Sequence, residues 1–224
     1  MTGTLLMAWS GGKDSALALY EVQQRLQQQV VSLLTTITSD YDRVSMHGIR
    51  RSLVEQQAEH LGLSLHEVFI GKEATNEEYE TKMEASLITF QHEGVSSVVF
   101  GDVHLQDVRR YREDNLAKVG MTALFPLWGR NPASVTGAFL QLGFKAIVTC
   151  VDARVLDRSF CGRMLDESFI SNLPAHVDPC GENGEFHSFV FDGPAFLAPV
   201  PFRVGEVVER NSLFYCDLLP THTR

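Results

Sequence analysis

Four short runs in the first hundred residues are rich in apolar and β-branched side chains, and each is followed by a stretch where apolar residues recur at helical spacing. Leu5 to Trp9, Val30 to Thr38, Leu63 to Ile70 and Val95 to Phe100 read as strands. The second, VVSLLTTIT, has the composition of a strand buried on both faces. Between them, Ala16, Leu19, Val22 and Leu26 mark one face of a helix expected over 14–28. Val54, Ala58 and Leu61 mark a second, over 46–61, stopped by Gly62. A third starts at the capping box of Thr75 and Glu78, presents Tyr79, Met83, Leu87 and Phe90, and ends at Gly94. A fourth is expected over 106–119. Strands alternating with helices of this length predict βαβ units, hence an α/β fold with a Rossmann-like parallel sheet.

From about Met121 the pattern changes. Phe125 to Gly129 is an apolar loop, and Asn131-Pro132 is an N-cap and N1 pair opening a helix that ends at Gly143. A strand is expected over 144–151 and a helix over 164–173, before Pro174. Three further strands follow, at 189–191, 202–209 and 213–219, the last two joined by a turn at Arg210 to Ser212. The expectation is a second, smaller α+β domain, with the chain divided into 1–123 and 124–224.

The chemistry starts where the first strand ends. Ser10-Gly11-Gly12-Lys13-Asp14-Ser15 joins it to the first helix. Adjacent glycines let backbone N–H groups approach a ligand, and the helix N-terminus behind them favours an anion. Lys13 adds charge and Ser10 and Ser15 add hydroxyls, so the segment asks for phosphate. A Walker loop fails, since Met7 stands where its first glycine belongs and Asp14 follows the lysine. SGGKDS instead resembles the PP-loop of ATP pyrophosphatases, which cleave ATP between its α- and β-phosphates. In a parallel sheet, ligands sit at the carboxyl ends of strands where the strand order reverses. Adjacent ends for the first and fourth strands would bring Gly101 and Asp102 to the phosphates, with Asp102 either contacting Mg²⁺ or substrate or serving as a helix N-cap. Arg109, Arg110 and Arg112 beyond that end read as an anion clamp or as a solvated helix face.

Composition narrows the class of partner. The 224 residues are 44% hydrophobic and 21% charged, a globular balance, and the net charge of −9 disfavours bulk nucleic-acid binding. No apolar run approaches the roughly 20 residues of a membrane span and no basic leader precedes the first strand, so a cytoplasmic protein is expected. The cysteines at 150, 161, 180 and 216 form no CxxC pair and read as free thiols. A homo-oligomer is compatible with all of this.

A second constellation, DPCGENGEFH from Asp178 to His187, gathers three acids, an amide, a thiol and an imidazole in ten residues. Its plainer reading is a Gly-rich turn into the next strand. SGGKDS, Met46-His47-Gly48, Gly101-Asp102, Pro126-Leu127-Trp128, Gly143 to Ala146 and GENGEFHSF occur in the order and spacing of diphthine–ammonia ligase and its relatives, which are adenine nucleotide α-hydrolase-like proteins. The chain resembles that family over nearly its whole length, most of all the compact bacterial relatives. The resemblance implies a HUP-type ATP domain, with GENGEFH on a facing wall. It also implies a ligase that uses ATP and ammonia to amidate a carboxylate, in the eukaryotic member the diphthine of translation elongation factor two.

On that basis, attack of the carboxylate on the α-phosphate gives an acyl-adenylate and pyrophosphate, and ammonia then displaces AMP. The residues expected at ATP are Ala8, Ser10, Gly11, Gly12, Lys13, Asp14, Ser15, Thr36, Gly101 and Asp102, with Asp14 and Asp102 toward Mg²⁺. Glu182, Asn183, Gly184, Glu185 and His187, with Arg110 and Arg112, are expected to face the acyl acceptor or ammonia. Lys13, Asp14, Glu182, Glu185 and His187 would carry the chemistry. The alternatives are a thiolating PP-loop enzyme, with Cys180 as sulfur carrier, and an adenine-nucleotide sensor without chemistry. Free ammonia is the simpler nitrogen donor, because the chain has no evident room for a glutaminase domain.

Overall fold

The computed structural model describes residues 4–221. Strands β1 (Thr4–Ala8), β2 (Val30–Thr38), β3 (Arg43–Val44), β4 (Ser64–Ile70), β5 (Val95–Val99) and β6 (Thr122–Leu124) form one sheet in the order β3-β2-β1-β5-β6, with β4 also on β2. Every pairing is parallel except that of β2 with β3. β2 has two edges: β4 occupies one, so β1 and then β3 share the other, and the loop after β3 lies just beyond the end of β1. From β1 the chain builds outward through β2 and β4 on one side and β5 and β6 on the other. The switch point therefore falls between β1 and β5.

Helices α1 (Lys13–Tyr20) and α2 (Arg51–Leu61) cover one face, and α3 (Asn76–His92) and α4 (Gln106–Lys118) the other. Leu6, Leu34, Val98, Phe90 and Leu116 close the second face as one buried cluster. The Thr75 hydroxyl accepts the Glu78 N–H and Asn131 caps α5 (Pro132–Gln141), as their sequence signals require. Beyond α5, β7 (Lys145–Asp152), β8 (Phe186–Asp192), β9 (Phe202–Arg210) and β10 (Leu213–Pro220) make an antiparallel sheet in the order β8-β7-β10-β9. Its Phe189 and Val190, with Phe144 just before β7, share one buried cluster with Leu17 and Leu19 of α1. The edge of β8 meets the glycine loop, because the Val190 N–H donates to the Gly11 carbonyl at 2.9 Å.

Four element expectations are corrected. The second helix begins at Arg51 and not at 46, since Met46 and Gly48 take positive φ of 67° and 68° and a tight loop closes through Gly48 N–H to the Val44 carbonyl. The first helix ends at Tyr20 and continues as a π-turn over Glu21–Arg25. The helix of 164–173 shrinks to α6 (Glu167–Ser171), because Met164 bridges to Ile147 and Asp166 caps the turn after it. β8 also starts earlier than expected, so Phe186 and His187 belong to a strand.

Candidate active site

A cavity of about 550 Å³ opens at the carboxyl ends of β1, β2 and β5. Ser10, Asp14, Ser15, Gly101 and Asp102 form its wall at the switch point, and Ala8, Leu34, Thr36, Val98 and Phe100 supply a mostly apolar floor. His187 reaches it from β8, Gly181 and Glu182 from the turn before that strand, and His47 from the loop after β3.

The helix start has part of its donor set open. The Gly12 N–H donates to the Ser10 hydroxyl at 3.3 Å and the Lys13 N–H to the Ser188 hydroxyl at 3.2 Å. Among the described residues, those of Asp14 and Ser15 have no partner in another element, as the first turn of a helix requires of donors that await a ligand. Gly101 is glycine for a backbone reason: a Cβ there would stand 2.7 Å from the Asp14 carbonyl carbon, so a side chain would push the helix start off β5. Gly11 sits at φ 80° with its Cβ position 2.9 Å from Gln57 Oε1. That glycine serves the packing of loop on helix as well as any ligand.

Lys13 is 3% exposed and points away from open space. Its ammonium donates to both Asp14 oxygens, at 2.7 and 2.8 Å, and to the Cys180 carbonyl. Burial works against its charge, but Asp14, Cys180 and Glu182 outweigh that and raise its pKa. Asp14 is also raised, by burial first, with Asp102 and Asp178 adding repulsion against the pull of Lys13. Glu182 is raised by burial and by the same two carboxylates, Asp14 and Asp102. Three carboxylates, Asp14, Asp102 and Glu182, thus face one cavity and concentrate negative charge there. The Asp102 Oδ2 atom lies 2.8 Å from Arg112 Nε, yet both are buried without a well-aligned hydrogen bond. The Arg112 Nη2 donates to the other oxygen, Asp102 Oδ1, at 3.2 Å, so Asp102 is held on Arg112 at the cavity wall. Among the described residues no group of three or more His, Cys, Asp or Glu could hold a metal ion unaided. Asp14 and Asp102 alone would supply too few ligands for an ion, which would need further oxygen ligands from a bound molecule or solvent.

The DPCGENGEFH segment divides by role. Glu182 Oε1 accepts the Val103 N–H at 2.8 Å and the His104 N–H at 3.4 Å, and His104 reaches Asp178 at 2.9 Å, so the segment is docked on the loop after β5. Glu185 is buried and does not line the cavity. It accepts the N–H of Asp178 at 3.2 Å, the N–H of Asn183 at 3.0 Å and the Asn183 side-chain amide at 3.0 Å. Gly184 and Asn183 also lie away from the cavity lining. Glu185→Gln is expected to destabilise by about 1–3 kcal/mol, because one amide hydrogen replaces an acceptor among donors. A urea midpoint unchanged from wild type would contradict this assignment.

His187 faces the cavity with its ring 4.3 Å from that of His47, a residue the sequence reading quoted only within a motif. Burial, with Lys13 adding, pulls His47 down to about 4 against the Ser45 carbonyl, and His187 is likewise held well below its ordinary value. Both rings are neutral at pH 7. The arginines do not form one clamp. Arg112 pairs with Asp102, Arg109 stacks 4.7 Å from the Trp128 ring and pairs with Glu113, and Arg110 is exposed outside the cavity.

Two family descriptions match this chain: a diphthamide synthase N-terminal domain over residues 3–123 and a diphthamide synthase C-terminal domain over 131–215. The chain belongs to the diphthamide synthase family. Among curated relatives of this diphthamide synthase homologue, a diphthine–ammonia ligase of Schizosaccharomyces pombe is 28% identical over 93% of this chain. The chain spans 38% of that protein's length. Diphthine–ammonia ligases of Bos taurus and Homo sapiens are each 27% identical, over 91% and 89% of this chain and 84% and 82% of their own lengths. A solved structure described as a predicted tRNA methyltransferase subunit of Methanocaldococcus jannaschii aligns at 16% identity over 65% of this chain and 80% of its own. Its TM-score of 0.44 is too low to bear on function. Among the described residues no helix is long and apolar enough to cross a membrane.

Proposed function

We propose that this chain is an ATP-dependent amide ligase of the diphthine–ammonia ligase type, which activates a carboxylate as an acyl-adenylate and passes the acyl group to ammonia. One observation carries the reading. The open helix start and the acids Asp14 and Asp102 form one wall of a cavity whose other wall holds His187 of β8 and Glu182 of the turn before it. Nucleotide and acceptor groups thereby face each other.

In the first step a carboxylate oxygen of the acceptor attacks the α-phosphorus, the bond to the bridging oxygen breaks, and pyrophosphate leaves. The Asp14 and Ser15 N–H groups, the Ser10 and Ser15 hydroxyls and a Lys13 drawn toward the phosphates hold the charge that grows on the leaving group. Mg²⁺, held by Asp14 and Asp102, would neutralise part of that charge. Ala8, Thr36 and the apolar floor take the base and ribose. In the second step ammonia attacks the acyl carbon and AMP departs. Nitrogen must shed a proton as it bonds, and the neutral His187 and His47 rings are acceptors placed to take it. Glu182, bound through one oxygen to the loop after β5, keeps the second wall at its distance.

The thiols disfavour sulfur transfer. All four cysteines are buried, and burial pushes Cys180 up to about 11 while its thiol contacts the Pro132 carbonyl at 3.1 Å. A sulfur carrier needs a thiolate. The test is product identity: with α-labelled ATP, Mg²⁺, ammonium and a carboxylate acceptor, AMP and pyrophosphate are expected in equal amounts. ADP and phosphate as the products would remove the ligase reading.

A further inference from the structure

Asp217 on β10 lies outside the cavity lining, at a bulge of the β9–β10 hairpin. Cys216 pairs with Val207 and Leu218 with Val204, so two residues of β9 oppose Asp217 alone. One of them is Gly205, where a Cβ would stand 2.8 Å from the Asp217 carbonyl oxygen. The Asp217 carboxylate accepts from Arg43 Nη2 at 2.8 Å and from Arg50 Nε and Nη2 at 2.9 and 2.7 Å. Burial works against its charge, but Arg50 and Arg43 outweigh that and hold its carboxyl below the ordinary range.

Those two arginines stand at the ends of the loop that carries His47, and they bridge each other as an antiparallel pair. Arg43 also donates to the Gly48 carbonyl at 2.7 Å. Tyr215, two residues before Asp217 and so on the same face of β10, packs under Gly48, where a Cβ would stand 2.8 Å from Tyr215 Cδ1. The hairpin thus clasps the loop at both ends and at its crown. Within the loop, His47 Nδ1 lies 3.4 Å from the Ser45 carbonyl, which can only accept, so this nitrogen carries the proton of the neutral ring. Nε2 is left with its lone pair bare. It lies beside the glycine loop, 3.6 Å from where a Cβ of Gly12 would be, and the His187 ring is 4.3 Å from the His47 ring.

We propose that Asp217 is a positioning residue for His47, holding the 43–50 loop closed so that Nε2 stays a fixed proton acceptor at the cavity wall. Without the carboxylate, guanidiniums on two directly opposed residues face each other with no counter-charge, and like charges so placed push their strands apart. The loop then loosens at both ends, and a contact as long as 3.4 Å is among the first to go. The two tautomers of His47 would interchange, and its acceptor nitrogen would lose its aim. The inference rests on the ligase reading only for the proton that His47 takes, which comes from ammonia as it bonds to the acyl carbon.

Its test needs no substrate. The full chain carries isotope-labelled histidine, and the imidazole nitrogens are read by NMR, with His47 assigned as the signal that His47→Gln removes. Wild type is expected to show His47 as one tautomer, protonated at Nδ1 and bare at Nε2. Asp217→Asn is nearly isosteric and should lose that signature, both His47 nitrogens moving to averaged positions while those of His66 on β4 stay in place. Arg43→Lys keeps the charge but loses the fork that spans Gly48 and Asp217, and it should do the same. A folded Asp217→Asn protein whose His47 keeps one tautomer, or a wild type that shows a mixture, overturns the positioning role. If Asp217→Asn shifts every histidine, Arg43→Lys decides: loss of the His47 signature with His66 unmoved supports the role, and any other result overturns it. ADP and phosphate in the labelled-ATP assay would instead remove the ligase reading and leave the geometry of His47 standing.

Discussion

Replacement of Lys13 by Ala is expected to lower acceptor-dependent AMP release by about 10²–10³, by analogy with the loss of one oxyanion-hole donor where negative charge develops. The structure adds a second consequence. The Lys13 ammonium is buried between the Asp14 carboxylate and the Cys180 carbonyl, so its loss strands two acceptors at the seam between the sheets. Leaving them without a donor costs about 1–3 kcal/mol. On the proposed reading the lysine would exchange these protein partners for phosphate, and a site that already compensates its charge lowers the cost of holding it ready. Turnover at saturating ATP and the urea midpoint should be measured on one preparation. A folded Lys13→Ala protein with near-normal turnover would show that charge does not develop at this loop.

What the residue pattern made legible was whatever local chemistry decides. The strand–helix alternation, the capped starts at Thr75 and Asn131 and the phosphate character of Ser10 to Ser15 all follow from neighbours within a few positions. The switch point was conditional on the first and fourth strands being neighbours, which the pairing of β1 with β5 supplies. Asp102 came to the cavity for that reason.

Other features depended on contacts between distant segments, and there local reading failed. Met46 and Gly48 carry no helix-breaking signal strong enough to outweigh the apolar spacing that follows, yet a positive φ at both sends the chain over the end of β1. That detour brings His47 to His187. Glu185 looked like site chemistry because acids were dense around it. Only the fold shows that three donors from its own segment consume its oxygens, while Glu182, three residues earlier, faces the cavity. The arginines of α4 look alike in sequence, but helical rotation sends Arg112 to Asp102, Arg109 to Trp128 and Arg110 to solvent. Gln57 went unnoticed for the opposite reason, since a polar residue on an amphipathic helix is ordinarily exposed.

Gln57 is fully buried, and three elements meet on its amide. Its oxygen accepts Trp9 Nε1–H at 2.9 Å, and its nitrogen donates to the carbonyls of Gly11 at 3.0 Å and Val190 at 2.6 Å. One side chain on α2 thus ties the end of β1, the glycine loop and the strand that carries His187. Gln57→Leu keeps the approximate volume and removes every bond. It should cost about 2–4 kcal/mol, less than the sum of three orphaned groups because the Gly11 carbonyl still accepts the Val190 N–H. The consequence for function separates a positioning role from a merely structural one. With the loop no longer fixed, the Asp14 and Ser15 donors lose their aim, and the KM for ATP should rise in protein that is still folded under assay conditions. Leu53→Ala, a fully buried change on the same helix, should lower the urea midpoint by a similar amount through its cavity and leave that KM near wild type. If Gln57→Leu and Leu53→Ala lose stability equally and neither moves the KM, the amide is core packing and the loop is held by its own backbone.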